Sequence, residues 1–272
     1  VEQILTSLEP SKVTAAFDLN LRDFLVKFGE LPGTKVATSP ELTWLATGLQ
    51  SPILNAVLLT NLAPESVSEA ILEVQAHFKS RRVTMCWCTG PHTRPPELSK
   101  YLAAQGFSFA MASPGMAVNL QKIDENVSTP KDLEIVRVED ARILQKWSYV
   151  NQVGYNSSNE VGQAYADLML RLGFDQPAVR YYLALLKGEP VASALICLSA
   201  GIAGVYNVVT LPAARGQGIG SKIVLTTLQE ARAAGYRVAA LQSSEIGFNI
   251  YRQLGFEQFC SYERYYWTPP LD

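Results

Sequence analysis

The chain has 272 residues, 48% of them hydrophobic and 18% charged, with a formal net charge of −2 at pH 7. This composition excludes a disordered chain and allows a sizeable core in one large domain or two ordinary ones. The near-neutral balance carries no footprint of a nucleic-acid binder, and four cysteines with two histidines are too few for a disulfide-rich scaffold.

Val1–Pro10 carries two glutamates and no apolar run, so no secretory signal is read there. An amphipathic pattern through Ala15, Leu19, Phe24 and Phe28 predicts one helix ending before Gly29, and Leu31-Pro32-Gly33-Thr34 reads as a turn. Glu41–Thr47 and Asn55–Thr60 read as strands. A helix follows from Ser66 to about Lys79, then a strand over Val83–Cys88. Cys86 and Cys88 would share a strand face. With His92 they make half a metal site, but no second ligand pair follows, so they read as two small buried hydrophobes. Glu97–Gln105 reads as a helix stopped by Gly106, with strands over Phe107–Met111 and Met116–Leu120.

Residues 121–131 are polar and include Pro130, which makes them the one convincing linker and divides the chain into 1–125 and 126–272. Beyond it come a strand (Leu133–Val138), helices over Asp140–Asn151 and Glu160–Leu172, and a hairpin of Val179–Leu186 with Val191–Leu198. No charged residue lies between Pro190 and Ala214, a length that could cross a membrane. Ser199, Ala200, Gly201 and Gly204 break it, so two buried strands joined by a tight turn are expected, in a soluble, cytoplasmic protein without membrane partners. The remaining expectations are a helix ending at Gly235, a strand over Tyr236–Leu241, a helix over Ser244–Leu254, and strands over Phe256–Tyr262 and Arg264–Trp267.

The informative stretch is Val205–Ser221. A β-branched run is stopped by Pro212, and Arg215-Gly216-Gln217-Gly218-Ile219-Gly220 then opens a long amphipathic helix. A strand leading through glycines into a helix N-terminus suits a phosphate, because the first turn has unpaired N–H groups and the positive end of the dipole. The P-loop template G-x-x-x-x-G-K-[ST] and the dinucleotide template G-x-G-x-x-G both fail, since each needs a glycine where Ser221 stands. The pattern R-x-x-G-x-G fits, through Arg215, Gly218 and Gly220.

With that loop, the helix Asn249-Ile250-Tyr251-Arg252-Gln253-Leu254-Gly255-Phe256 and the order of elements, residues 132–272 resemble the GNAT superfamily of acyl-CoA-dependent N-acyltransferases. The resemblance implies an α/β, mixed-sheet GNAT fold in two tandem domains, the N-terminal one degenerate. It implies acetyl-CoA as cosubstrate, no metal, and direct transfer of the acetyl group to a small-molecule or peptide amine. Main-chain groups of Val208, Val209 and Thr210 would pair with the pantetheine arm. Arg215, Gly216, Gln217, Gly218, Ile219, Gly220 and Ser221 would surround the pyrophosphate. Tyr251 would protonate the leaving thiolate.

The general base is not readable. Asn207 can hold a water, and Glu160 and Glu245 are carboxylates within range of the expected cleft. The missing strand carboxylate keeps a second reading open, a non-catalytic acyl-CoA-binding sensor or scaffold. In the N-terminal half, Leu102 stands where Tyr251 has its counterpart and no R-x-x-G-x-G precedes Val83. This half resembles the first halves of bacterial tandem GNAT proteins. Its Trp44, Trp87 and Asn55 either line an acceptor cleft or form ordinary core, and core is the simpler reading.

Overall fold

The computed structural model describes residues 3–270. In chain order the elements are α1 (Pro10–Val26), β1 (Lys35–Thr38), β2 (Leu42–Ala46), β3 (Asn55–Thr60), α2 (Val67–Arg81), β4 (Met85–Thr89), α3 (Leu98–Ala104) and β5 (Ser108–Asn119). They continue with β6 (Leu133–Arg137), α4 (Ala141–Gly154), α5 (Asn159–Leu172), β7 (Val179–Leu186), β8 (Glu189–Ser199) and β9 (Ile202–Thr210). The last are α6 (Ile219–Ala233), β10 (Val238–Gln242), α7 (Glu245–Gln253) and β11 (Glu257–Trp267).

These elements form two compact units that are not contiguous in sequence. One comprises residues 1–20 and 114–259, the other 21–113 and 260–272. The polar stretch 121–131 suggests a single cut near residue 125. The actual division falls within α1, β5 and β11, because late and early segments pair with each other's halves. Residues 263–267 of β11 run antiparallel to β4, and residues 115–119 of β5 run antiparallel to β10.

In the first unit the strands run β5-β10-β9-β8-β7-β6. Among the described residues only the β10–β9 pair of this unit is parallel; the other four pairs are antiparallel. The charge-free stretch from Pro190 is the β8–β9 hairpin, turned by Ala200 and Gly201 at φ of 54° and 72°. Strands buried on both faces need no alternation, which explains the continuous apolar run. One face is closed by α6, whose Ile223, Val224 and Leu228 pack with Ala194, Ile196, Ala203 and Leu241. Residues 3–20 also dock here. Asn20 is buried and its Nδ2 donates to the carbonyls of Cys197, Ser199 and Ile202 at 2.8–3.3 Å.

The segment read as a linker lies against this same unit. Ile123 and Val127 pack on its core, and the Glu125 carboxylate takes Arg232 and Gln229 at 2.7 Å each.

In the second unit the order is β1-β2-β3-β4-β11. Its core gathers Trp44, Val57, Ile71, Phe78, Met85, Trp87, Leu98 and Leu102. Strand β1 goes unread in the sequence, because Lys35-Val36-Ala37-Thr38 is short, half polar and partly exposed. Two expected strand pairs are single long strands. Ser113-Pro114-Gly115 reads as a turn locally but lies inside β5, and Glu263 lies inside β11. In β5 tertiary pairing overrides local turn chemistry, and in β11 the single charged residue Glu263 does not interrupt the strand. Among the described residues no helix is long and apolar enough to cross a membrane.

Candidate active site

Strand β9 leaves β10, but not β8, before the expected site residues begin. Its parallel ladder with β10 joins Ala203 to Ala239 and Gly204 to Ala240 and goes no further. From Val205 onward, one edge of β9 therefore carries main-chain groups that β10 does not take. On the other side, Ser193 pairs with Val209 and Leu195 with Tyr206, so β9 spends one more residue than β8 over this span. This is a β-bulge, and Asn207 sits in it at φ 51°. Asparagine tolerates the left-handed region because its short polar side chain bonds locally.

The bulge is held by a buried polar network. Asn207 Nδ2 donates to Asn151 Oδ1 and to Tyr165 Oη, both at 3.0 Å. Asn151 Nδ2 donates to the Trp147 carbonyl at 2.9 Å and to Ser193 Oγ at 3.1 Å, and Ser193 Oγ donates to the Asn207 carbonyl at 3.1 Å. Trp147 Nε1 donates to the carbonyl of Ala194, the β8 residue between the two register pairs, at 3.1 Å. The network ties α4, α5, β8 and β9 to the bulge. At the end of α4, a Cβ on Gly154 would overlap Val209, so the helix crosses the strand there in close contact.

After Thr210 the chain makes a short turn over Pro212–Ala214 and enters α6 through Gly216 and Gly218, at φ 74° and 75°. Arg215 Nε donates to the Thr210 carbonyl at 3.0 Å and ties the loop back to the strand end. A Cβ on Gly218 would overlap the Ser128 carbonyl, so close approach as well as φ requires glycine there. Helices α4, α5 and α7 each have a side-chain cap, from Asp140, Ser158 and Ser244. Helix α6 has none. The first-turn N–H groups of the helix after the glycine loop are thus left without the oxygen that the other three receive.

The expected site residues separate by role. Arg215, Gly216 and Gln217 are exposed; Val208, Thr210, Gly218, Gly220 and Ser221 are half-buried. Val209 and Ile219 turn their side chains into the core, so these two can offer only main-chain groups. Tyr251 is 7% exposed, edge-on to Phe256 at 5.8 Å. Burial, and then nearby Tyr155, raise its pKa well above the ordinary phenol range. The same two influences, with Tyr181, raise Tyr165. Tyr155 therefore lies within electrostatic reach of both phenols, and it is itself an exposed aromatic.

Glu160 and Glu245 are exposed and sit in the first turns of α5 and α7, where they favour the helix dipole. Ser244 Oγ is committed to capping α7 through Gly247 N at 3.2 Å. Asn151, Ser193, Tyr155 and Tyr165 were missed in the sequence. The available signal was a polar residue one turn after Trp147 on the buried face of α4, and a serine inside an otherwise apolar strand.

Trp44, Trp87 and Asn55 are core of the second unit. Trp87 Nε1 donates to Thr60 Oγ1 at 3.0 Å, and Trp44 packs against His77 at 4.6 Å. Asn55 is fully used: its Oδ1 takes the N–H groups of Thr47 and Gly48, and its Nδ2 donates to the carbonyls of Leu49, Ser51 and Thr84. Among the described residues no group of three or more His, Cys, Asp or Glu converges on a metal position.

Residues 177–258 match the model of the acetyltransferase (GNAT) domain. No curated protein matches the sequence. Solved structures share its fold at low identity. A GCN5-related N-acetyltransferase from Kribbella flavida is 18% identical, with a TM-score of 0.72 over 95% of this chain and 96% of its own. A tandem GNAT protein from the clavulanic acid biosynthesis pathway is 14% identical, with a TM-score of 0.63 over 100% of this chain and 99% of its own. A GCN5-related N-acetyltransferase from Sphaerobacter thermophilus is 13% identical, with a TM-score of 0.64 over 100% and 97%.

Proposed function

From the premise that this chain carries an acetyltransferase (GNAT) domain, we propose that it moves an acetyl group from acetyl-CoA to an amine by direct attack. The observation that carries this is the uncapped start of α6, set directly after the strand that leaves its ladder at Gly204. Pantetheine amides pair with the free edge of β9 at Val208–Thr210, as an added strand would. The pyrophosphate takes the N–H groups of Gly216–Ser221 and the positive end of the α6 dipole. The amine nitrogen attacks the thioester carbonyl, the C–S bond breaks, and Tyr251 passes its proton to the departing thiolate. The nitrogen's proton passes to solvent and the Tyr251 phenolate takes one back from solvent, so the products are the amide and free coenzyme. A phenol held neutral by burial is the right state for a proton donor.

The unit of residues 21–113 and 260–272 is read as a degenerate relative without the glycine loop, and the acceptor as a small-molecule or peptide amine. A second reading, an acyl-CoA binder without turnover, draws on the bulge itself. There Asn207 commits its amide to Asn151 and Tyr165, so the central strand presents a neutral network instead of a carboxylate.

The test is release of free coenzyme thiol with a panel of amines, beside thermal stabilisation by acetyl-CoA. Tyr251→Phe is expected to lower kcat by roughly 10²–10⁴ while keeping the stabilisation. Ser221→Glu, which sets a negative charge at the open helix start, is expected to remove the stabilisation. Stabilisation by coenzyme with no amine turned over, and no effect of Tyr251→Phe, selects the binder. Absence of stabilisation in the wild type sinks both readings.

A further inference from the structure

Cys86 and Cys88 remain outside the proposed reaction. They lie on β4 in the second unit and, with the period of a strand, point to the same face. Their Sγ atoms are 3.7 Å apart. Trp87 and Met85 turn the other way into the main core of the unit. The cysteine face is a small satellite cluster with Ala56, Leu58, Leu25 and Tyr266. Cys86 is fully buried, whereas Cys88 is half-buried. Arg264 is the register partner of Cys88 on β11 and brings a positive charge to that sulfur.

We propose that Cys86 and Cys88 form a dithiol site for a trivalent thiophilic metalloid, of the class of arsenite and organic arsenoxides. The spacing selects this chemistry. Two sulfurs bonded at about 2.3 Å to one centre stand about 3.4 Å apart at a pyramidal angle and about 3.8 Å apart at a tetrahedral one, whereas a linear centre needs about 4.6 Å. The pair therefore fits a bent centre with little movement of the strand. Zinc also bends its ligands, but it takes four, and among the described residues no third His, Cys, Asp or Glu joins the pair. A trivalent arsenic is complete with two sulfurs and one hydroxyl. A disulfide would need the sulfurs to close to about 2 Å, against a strand paired with β3 at Cys86 and with β11 at both positions.

The reactivity is divided between the two sulfurs. A hydrogen bond with Cys86 lowers the Cys88 thiol to about 7, Arg264 assists, and burial opposes. The same hydrogen bond, with burial, raises Cys86. Cys88 is thus the attacking thiolate. It forms an S–As bond and one hydroxide leaves, taking a proton as water. Cys86 then forms the second S–As bond, and its proton leaves with a second hydroxide as water. The product is a bis-thiolate As–OH, and no electron changes hands.

The probe is phenylarsine oxide, which uses two thiols, added to the reduced full-length chain. One equivalent is expected to bind. After denaturation N-ethylmaleimide should then label Cys197 and Cys260 but not the other two of the four cysteines. Cys86→Ser and Cys88→Ser should each weaken binding about a hundredfold, the loss of an intramolecular second bond, while Cys260→Ser changes nothing. If either serine variant is poorly folded, binding should still raise the melting temperature of wild type and Cys260→Ser alike. Wild-type affinity in both single variants, an adduct on Cys197 or Cys260, or no adduct at all overturns the assignment.

Discussion

Asn207 concentrates what the site asks of a single residue. It must accept a positive φ, and its amide must hold two partners on two helices. The two demands can be separated by substitution. Asn207→Gly keeps the backbone freedom but leaves Asn151 Oδ1 without its donor in a buried place, which costs about 1–3 kcal/mol. Asn207→Val loses the same bonds and adds a β-branched residue at positive φ, which costs roughly 1–2 kcal/mol more. The urea midpoints should therefore fall in the order wild type, Asn207→Gly, Asn207→Val. Equal midpoints for the two variants would show that the bulge relaxes and that φ is no constraint. In the sequence, Asn207 can be singled out as a polar residue in an apolar strand. Its partners could not be, because Asn151 and Tyr165 reach it only through the packing of α4 and α5 on the sheet. Tyr251 is the opposite case: a spacing of four residues to Gly255 places it on its helix, and packing adds only its burial.

Among the elements, α4 shows how a local signal can be correct in kind and incomplete in meaning. Gly154 opens a polar run of Gly, Asn and Ser, which reads as a loop. It is in fact the last residue of α4, and it is small because the helix crosses Val209 there. Gly154→Ala places a methyl group in Val209, so helix or strand must shift, at about 1–3 kcal/mol. The shift falls on the β9 segment assigned to pantetheine. The variant should therefore lose part of its stabilisation by acetyl-CoA as well as its own stability. A variant with lower stability but unchanged coenzyme affinity would detach α4 from the binding strand. Ser158→Ala is the control: it removes the cap of α5 at about 1 kcal/mol and leaves β9 untouched. The glycine loop and the helices were legible because turn chemistry and 3.6-residue periodicity act locally. Strand β1 and the continuity of β5 and β11 were not, because their existence depends on partners far away in sequence.

For the molecule as a whole, the exchange of segments between the two units was the least legible feature. Nothing in Glu257–Trp267 announces that residues 263–267 pair with residues 85–89. The core of the first unit nevertheless has a property that can be read across many residues at once. Tyr165, Tyr181 and Tyr251 all have phenols raised beyond the ordinary range, and Tyr182 is pushed up to about 12, in each case mainly by burial. In the unfolded chain these groups ionise near pH 10. Above that pH the unfolded state binds fewer protons than the folded one, so stability falls as pH rises. Each such tyrosine contributes a slope of about 1.4 kcal/mol per pH unit, fully developed between the unfolded and folded values. Below about pH 9 none of them contributes a slope. The urea midpoint should therefore be level from about pH 7 to about pH 9 as far as tyrosines act, then drop steeply towards about pH 11. Spectroscopic titration of the native protein should show at least these four of the 12 tyrosines ionising only as the fold is lost. Tyr182→Phe should flatten the drop by about one tyrosine's share, since it removes one of the withheld protons. Full ionisation of all tyrosines in a still-folded protein would contradict the burial on which both this slope and the protonated state of Tyr251 rest.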